Sequence, residues 1–218
     1  MMKIIKVSQH VYKIEAWFLL KMSAWLVKAN NGVYIVDTGM PFMGNRIIEE
    51  AEKLGELKAI LLTHGHSDHV GGLKKILDKH NLPVYSHVMD IKYMEGREPF
   101  PGRKKKEHLV EPGIVKPLKQ NEDGTLEAVE NLVPYHTPGH SPGHVSYYHT
   151  LDRVLIGGDL FTSKGGKLKQ PIKMFTADMR QAIESGKIVK ELKPEVVSIC
   201  HGPDIKQPHN QINAYLQM

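Results

Sequence analysis

One segment, LLTHGHSDHVGG at positions 61–72, constrains the fold of this chain more than any other. It begins at the end of an apolar run (59–62) that predicts a buried strand, and it ends in two glycines that open a helical pattern. Between them lie four side chains that can bind metal ions: His64, His66, Asp68 and His69. The sequence therefore predicts a metal-capable loop between the carboxyl end of a strand and the start of a helix, where α/β folds tend to place their chemistry.

The spacing of these four side chains indicates two metal ions. His64 and His66 are two residues apart, so both can face the same way from an extended chain. Asp68 and His69 follow where the chain turns, and they can point to a neighbouring position. The alternative is a surface turn that is rich in histidine by chance. The strand before the pattern and the Gly-Gly pair after it argue against that alternative.

The remaining pattern predicts a mixed α/β fold. Apolar alternation predicts strands at 4–7, 11–16, 24–29, 33–36, 83–87, 114–118 and 132–136, and helical spacing predicts helices at 42–54 and 72–80. The turn Asn30-Asn31-Gly32 is a strong hairpin signal, and Gly55 ends the first predicted helix. Because no internal repeat or linker composition interrupts the sequence, we expect one domain over residues 1–218.

Candidate histidine ligands recur in the run HTPGHSPGH at 136–144. Its two Pro-Gly turns define a tight path and leave His140 at the apex between them. We expect His136, at the start of the run, to be peripheral. His87, just past the predicted strand at 83–87, is also expected at the surface or in a supporting position.

Two further apolar strands end in metal-capable side chains. The strand at 154–158 delivers Asp159 after two glycines, which allow the backbone to approach a metal closely. The strand at 196–199 leads to His201. In a regular strand Cys200 would alternate to the face opposite His201, so we expect it to be a small core residue.

These segments resemble the metal-binding signature of the metallo-β-lactamase fold superfamily, and the resemblance extends from Asp37 to His201. It implies an αββα four-layer sandwich of the metallo-β-lactamase type. It also implies a ligand set: His64, His66 and His140 at one metal, Asp68, His69 and His201 at the other, and Asp159 as the bridging carboxylate. Asp37 and His144 match residues that support the ligands in this superfamily.

This ligand set implies two zinc ions and hydrolytic chemistry. Nitrogen and carboxylate donors suit Zn²⁺, and Fe or Mn would also be tolerated. A water between two metals has its pKa lowered from about 15.7 towards 7, which gives hydroxide at neutral pH. Asp68 is the candidate catalytic residue that orients this water and accepts its proton.

Two branches of the superfamily guide the expected substrate. The hydroxyacylglutathione hydrolases (glyoxalase II type) share the metal set and have a lysine after a glycine-rich loop, as Lys167 follows Gly165-Gly166 here. The quorum-quenching lactonases share the His-Thr-Pro-Gly-His-x-Pro-Gly-His run, and they have a tyrosine where Thr162 stands. We therefore expect hydrolysis of an ester, thioester or lactone, with Thr162 and Lys167 as candidate substrate contacts.

The stretch from 95 to 112 is rich in turn residues and carries the basic run Arg103–Lys106. A loop this long inside a domain is usually functional or disordered. One interpretation is a lid whose cations attract an anionic substrate, with Phe100 touching that substrate. The other is a solvated charge run, and the sequence leaves both open.

Charge and composition limit the classes of molecule that the protein is expected to bind. The net charge of +5, from 29 Lys and Arg against 24 Asp and Glu, permits a small anionic substrate. Four cations on one loop without interleaved aromatics argue against nucleic acid as a partner. Phosphodiester cleavage by a related nuclease, or a metal-binding domain without catalysis, are the alternative functions.

The location expected from the sequence is the cytoplasm. A single cysteine excludes a disulfide within the chain. The apolar patch at 16–20 is interrupted by Lys21 and is too short to cross a bilayer, so no association with a membrane is expected. The oligomeric state stays open; the apolar positions in 208–218 could dock on the chain's own core or on a partner subunit in a homodimer.

Overall fold

The structure is a computed structural model that describes residues 2–218, and β-strands dominate it. The strands are β1 Lys3–Lys6, β2 Val11–Phe18, β3 Leu20–Ala29, β4 Gly32–Val36, β5 Leu57–Leu61, β6 Val84–Ser86, β7 Val115–Pro117, β8 Leu132–His136, β9 Val145–His149, β10 Val154–Gly158, β11 Thr162–Lys164, β12 Lys167–Lys169, β13 Val196–Ile199 and β14 Ile205–Lys206. The helices are α1 Gly44–Leu54, α2 Ser67–Val70, α3 Leu73–Leu77, α4 Val88–Met94, α5 Met179–Ser185, α6 Ile188–Leu192 and α7 Ile212–Tyr215.

The first sheet contains seven strands in the order β1-β2-β3-β4-β5-β6-β7. Its first four strands form an antiparallel meander, in which β2 and β3 pair from Val11 opposite Val27 to Phe18 opposite Leu20. From β4 to β7 the strands are parallel. The parallel half has longer connections because a parallel pair needs a crossover, and α1 is the crossover between β4 and β5.

The second sheet contains five strands in the order β14-β13-β10-β9-β8. β10 is antiparallel to β9 and parallel to β13, and the pairing with β13 shifts register between Ile156 and Gly158. β11 and β12 form a separate hairpin. The carboxyl ends of β10 and β13 therefore lie side by side, which brings the residues that follow them, Asp159 and Cys200-His201, to one edge of the sheet.

Alternating burial along the strands explains why the sheets stack. Ile60 and Leu61 are neighbours in β5 and both are fully buried, but they belong to different apolar clusters. Ile60 packs with residues of α1, α3 and α4, and Leu61 packs between the two sheets. In β10, Ile156 faces the same inter-sheet core, while Leu155 packs with residues of α6 and α7. The layers run helix, sheet, sheet, helix, which confirms the predicted αββα sandwich.

Several elements differ from the sequence-based prediction. The helix predicted at 42–54 starts with a 3₁₀ turn at Pro41–Met43, and the one predicted at 72–80 is shorter. Helix α4 and strand β9 were not predicted, because both are short and β9 is almost fully buried, so it shows no polar alternation.

The stretch 95–112 is tied to the body of the protein. Glu95 forms an isolated bridge with His108, and the backbone N–H groups of Leu109 and Val110 both donate to the carbonyl oxygen of Met94. Phe100 is buried in the core on the helix side of the first sheet. The solvated-run interpretation therefore fits only the exposed lysines of the stretch. Within residues 2–218, no helix combines the length and apolarity needed to cross a bilayer.

Candidate metal centre

Three imidazoles converge at the edge of the sandwich where β5 ends. The Nδ1 atom of His66 lies 3.0 Å from Nε2 of His64 and 3.0 Å from Nε2 of His140. All three side chains are buried. Tetrahedral ligands at zinc–nitrogen bond lengths of 2.0–2.1 Å lie roughly 3.3 Å apart, so these nitrogens already have nearly the separation that one ion requires.

A second group of donors lies beside the first. Nε2 of His201 is 3.4 Å from Oδ2 of Asp68, and Nε2 of His69 is 3.8 Å from the same oxygen. The carboxylate of Asp159 stands between the groups: its Oδ1 is 3.3 Å from His69, and its Oδ2 is 3.2 Å from both His201 and His140. The structure thus brings together all seven residues expected as ligands, in the two groups that the resemblance implies.

Asp37 orients the ring of His69 from the side opposite the other donors. Its Oδ2 lies 2.7 Å from Nδ1 of His69, and its Oδ1 accepts the backbone N–H of Thr63 at 2.7 Å. The hydroxyl of Thr63 also donates to Oδ2 of Asp37. Asp37 has a positive φ of 59°, a conformation that Asp tolerates better than most residues. The contact directs Nε2 of His69 towards the site, as carboxylate–histidine pairs do beneath metals.

His144 holds the backbone of Asp159 in place. Its Nε2 accepts the backbone N–H of Asp159 at 3.1 Å, while its Nδ1 is 2.9 Å from the hydroxyl of Thr137. Gly158, with φ of 51°, makes the close approach possible, because a Cβ there would lie 2.8 Å from Oγ1 of Thr63 and 3.0 Å from Nε2 of His144.

Sequence reasoning missed Asp90, which joins the two histidine loops. This fully buried carboxylate accepts the backbone N–H groups of Gly65 (3.1 Å) and Gly143 (2.6 Å) and the hydroxyl of Ser141 (2.6 Å). It therefore fixes the loop of His64 relative to the loop of His140. No motif surrounds Asp90 in the sequence, so only the three donors reveal its role.

Electrostatics keep the first group of imidazoles neutral and the carboxyl group of Asp159 ionised. Burial and neighbouring imidazoles hold the pKa values of His64 and His66 well below their usual range, and burial lowers the pKa of His140 to about 4. Burial alone would raise the pKa of Asp159, but His201 and His69 outweigh it and hold that pKa well below its usual range. Neutral imidazoles and an ionised carboxylate are the forms that bind metals.

The donors fit divalent metal ions. Nε2 of His69 and Oδ1 of Asp159 are buried, and neither has a hydrogen-bond partner within residues 2–218. Such orphaned atoms are costly unless a further group satisfies them. A cation bound by three imidazoles, and a second bound by imidazole and carboxylate, would satisfy both atoms with the ligand chemistry of Zn²⁺, Fe²⁺ or Mn²⁺.

A cavity of about 300 Å³ opens onto this centre. It is lined by Phe18, Leu19, Leu20, Met22, Met40, His66, Ser67, Asp68, Arg103, Glu107, Asp159, Phe175 and His201. Six of these thirteen residues are apolar, and the wall also includes an ion pair in which Arg103 Nη1 lies 2.5 Å from Oε1 of Glu107. The side chain of Asp68, which is 22% exposed, faces this cavity.

The three residues expected to touch substrate do not line this cavity. Phe100 lies behind His66, with ring centroids 4.8 Å apart, because its own ring is buried against Tyr93. Thr162 donates its hydroxyl to the carbonyl of Gln170, and Lys167 is exposed on the same β11–β12 hairpin. From the stretch 95–112, Arg103 and Glu107 reach the cavity instead.

The orientation expected for Cys200 is wrong. Cys200 is fully buried and packs in the inter-sheet core, but a donor atom of each of Cys200, Asp68, His69 and His201 lies within 4.8 Å of the others. The alternation rule fails because β13 ends at Ile199 and Cys200 lies in the bend that follows. Cysteine and the next histidine therefore point to the same region.

Two other histidines lie away from these donors. The rings of His87 and His136 stack in parallel, with centroids 4.1 Å apart. Nε2 of His136 is 2.9 Å from the carbonyl oxygen of Pro142, and Nδ1 of His87 accepts the backbone N–H of Met89 at the start of α4. His136 is exposed and His87 is buried, and neither belongs to a metal-capable group within residues 2–218.

Comparison with known proteins agrees with this geometry. The family model described as "Metallo-beta-lactamase superfamily" matches residues 20–201. The chain is 39% identical over 208 residues to "Probable metallo-hydrolase YybB" of Bacillus subtilis (strain 168), covering 94% of this chain and 93% of that protein. It is 32% identical to the hydroxyacylglutathione hydrolase of Pectobacterium atrosepticum over 81% of this chain and 59% of that enzyme.

A solved structure extends the likeness to three dimensions. The crystal structure of TTHA1623 in a di-iron-bound form superimposes with a TM-score of 0.66 at 28% identity, covering 88% of this chain and 92% of that one. The family match spans most of the chain, and the fold and the clustered His and Asp donors accord with it. This chain is a metallo-hydrolase that belongs to the metallo-β-lactamase superfamily.

Proposed function

We propose that the protein is a dinuclear hydrolase that cleaves an ester, thioester or lactone in a small, anionic molecule. The observation that carries the proposal is the position of Asp159. One of its carboxylate oxygens faces His69, and the other faces both His140 and His201. A carboxylate between two donor groups is suited to bridge two ions, for which we propose zinc, with iron or manganese as alternatives.

The proposed residue roles follow from the donor groups. His64, His66 and His140 would hold one ion, and Asp68, His69 and His201 the other. When bound, two such ions supply Lewis acidity for the substrate carbonyl and lower the pKa of a water from about 15.7 towards 7.

Asp68 is the proposed proton acceptor. Burial alone would raise its pKa, but His69 and its hydrogen bond with His201 outweigh this and lower the pKa below its usual value. The group is therefore a carboxylate at neutral pH. Asp68 faces the cavity, so it can orient an attacking water and take its proton. Asp37 holds the ring of His69 in position, and His144 does the same for the backbone of Asp159.

The cavity supports a small substrate with an apolar part. Phe18, Leu20 and Phe175 provide an apolar wall, and the space of about 300 Å³ is at the lower end of ordinary small-molecule pockets. Arg103 is the only lysine or arginine among the residues that line it. This arrangement favours a carbonyl ester over a nucleic acid, whose backbone needs a row of cations.

Phosphodiester cleavage is the second candidate, and Arg103 is the observation in its favour. The guanidinium of Arg103, which lines the cavity together with His66, can form a bidentate hydrogen-bonded pair with a phosphate group. The ion pair with Glu107 already uses Nη1 of Arg103, so fewer of its N–H donors remain for a phosphate. A metal-binding domain without catalysis is the third candidate, and a complete set of donors argues against it.

The test combines metal analysis with a substrate panel containing a thioester, an acyl-homoserine lactone, an aryl ester and bis-p-nitrophenyl phosphate. We expect about two metals per chain and carbonyl-ester turnover that disappears on chelation and returns with zinc. Turnover of the phosphodiester alone would establish the second candidate. Two metals without any turnover would refute hydrolysis of these classes.

A matched pair of variants tests the assignment of ligands. His140→Ala should lose metal and turnover, because Nε2 of His140 faces both His66 and Asp159. His136→Ala, four residues away and exposed, should keep both. Loss of metal in His136→Ala with retention in His140→Ala would contradict the assignment.

A further inference from the structure

Cys200 is held beside the second donor group by three backbone contacts. Its N–H donates to the carbonyl oxygen of Gly158 at 2.9 Å, and its carbonyl oxygen accepts the hydroxyl of Ser23 at 3.2 Å. The backbone N–H of Ser23 donates to the sulfur itself at 3.3 Å. The sulfur is thus fixed between β3 and the turn that carries Asp159. In the metal-free protein the sulfur also donates its S–H to the carbonyl oxygen of Ser23 at 4.0 Å.

Four donors of three kinds meet at this point. Sγ of Cys200 and one donor atom each from Asp68, His69 and His201 all lie within 4.8 Å of one another. Donors that share one tetrahedral ion at bond lengths of 2.0–2.3 Å lie roughly 3.3–3.8 Å apart, so the separations among these four donors would contract by at most roughly 1.5 Å if one ion bound all of them.

An independent feature points to a ligand at the same place. Nε2 of His69 is fully buried and has no hydrogen-bond partner within residues 2–218. Its other nitrogen faces the Asp37 carboxylate, which favours the tautomer with the proton on Nδ1 and a lone pair on Nε2. That lone pair faces the group to which Cys200 belongs.

We propose that Cys200 is a thiolate ligand of the metal held by Asp68, His69 and His201. This inference depends on the metal centre proposed above and is independent of the substrate. On binding, the S–H bond breaks, a sulfur–metal bond forms and the proton passes to solvent, with no change of oxidation state. The second position then has mixed sulfur, nitrogen and oxygen donors, whereas the first has three imidazoles.

The proposal has a consequence for metal choice. Thiolate is a soft ligand that favours zinc over manganese, while carboxylate and imidazole alone would accept either. We therefore expect the position at Cys200 to discriminate against manganese, and Cys200→Ser to lose part of that discrimination.

The chain contains one cysteine, so any thiolate-to-metal signal identifies its source. Metal-free protein would be titrated with Co²⁺ without oxygen while the ultraviolet and visible spectrum is recorded. We expect a thiolate-to-cobalt charge-transfer band in the near ultraviolet that accompanies filling of one of two sites. Cys200→Ser should lose this band and keep the visible d–d bands of bound cobalt.

Zinc X-ray absorption gives a second measurement that does not depend on activity. The wild type should contain a sulfur scatterer at about 2.3 Å, and Cys200→Ser should contain only nitrogen and oxygen at about 2.0–2.2 Å. Ile199→Val, a mild change at the neighbouring core position, is the control and should keep both signals.

Two results would overturn the proposal. The first is wild-type protein with two bound cobalt ions and no charge-transfer band, and the second is failure to bind a second cobalt. The first result leaves the proposed dinuclear centre intact, whereas the second also refutes that centre, so the two failures can be told apart. A protein that cleaves none of the test substrates can still show the band. Conversely, full turnover without the band would refute the role of Cys200 alone.

Discussion

The Oδ2 atom of Asp37 lies 2.7 Å from Nδ1 of His69, and both side chains are fully buried. Burial raises the pKa of Asp37 and by itself would lower the pKa of His69. Asp37, Cys200, Asp159 and Asp68 together outweigh burial at the histidine and raise its pKa well above the usual value in the metal-free protein. The pair therefore fixes the orientation of His69 and, in the neutral imidazole that binds a metal, favours the tautomer with the proton on Nδ1. Its Nε2 atom is left facing the donors of the second group.

Asp37→Asn should weaken metal binding by about 10–100-fold, the usual effect of losing a partner behind a metal-binding histidine. The asparagine amide would present N–H groups to Nδ1 of His69 and favour the tautomer whose Nε2 carries a proton. Competition with a chromophoric chelator measures the change. Glu52→Gln is the control, because Glu52 also pairs with a histidine, His80, but belongs to none of the metal-capable groups within residues 2–218. Equal losses in both variants would contradict this role.

Gly158→Ala and Gly157→Ala form a pair that separates strain from side-chain size. At Gly158 a Cβ would lie under 3.0 Å from Thr63 and the backbone has φ of 51°, so we expect a loss of about 1–3 kcal/mol in the free energy of unfolding and reduced metal content. At Gly157 a Cβ would meet its nearest atoms at 3.5 Å or more. That variant should stay within about 0.5 kcal/mol of the wild type in denaturant unfolding.

If Gly157→Ala proved as damaging as Gly158→Ala, the close approach of the backbone to Thr63 and His144 would not be what requires glycine. The comparison is informative because the two positions are adjacent in β10 and both are buried. They differ in conformation and in what surrounds the missing side chain.

The ligand candidates were predictable because each is a local signal at a strand end. His64, His140, Asp159 and His201 all follow apolar strands or Pro-Gly turns that sequence periodicity identifies. The four-layer fold followed from the resemblance, and the structure confirms it.

What the sequence could not predict depends on contacts between distant segments. Asp90 acquires its role from donors 25, 51 and 53 residues away. The region that Cys200 faces depends on where β13 ends, and a one-residue difference reverses that prediction. Phe100 is buried because the stretch 95–112 folds back onto Met94, which no local pattern indicates.

Asp90→Ala should destabilise the protein by about 2–5 kcal/mol, because it leaves three buried donors without their acceptor. Burial raises the pKa of Asp90, although the hydrogen bonds from Ser141, Gly143 and Gly65 act in the opposite direction. Ser141→Ala removes one donor and leaves the carboxylate with two, so its cost should be about 1 kcal/mol. Urea unfolding measures both, and similar values for the two variants would contradict the central role of Asp90.

The stacked rings of His87 and His136 give the protein a pH-dependent element away from the metal ligands. Burial, followed by the charge of His136, lowers the pKa of His87 to about 4. In the unfolded chain the group has its ordinary pKa of about 6.5. Between these values the unfolded chain binds more protons than the folded one, so the free energy of unfolding decreases as the pH falls from about 6.5 to 4.

His87→Asn should flatten this decrease in metal-free protein by an amount on the order of 2 kcal/mol. Asparagine keeps a side-chain acceptor for the backbone N–H of Met89, so the start of α4 stays capped while the titrating group is gone. Denaturant unfolding at several pH values between 4 and 7 measures the slope. His209→Asn, at an exposed position, should retain the slope of the wild type. A wild-type slope in His87→Asn would show that other buried groups cause the acid sensitivity.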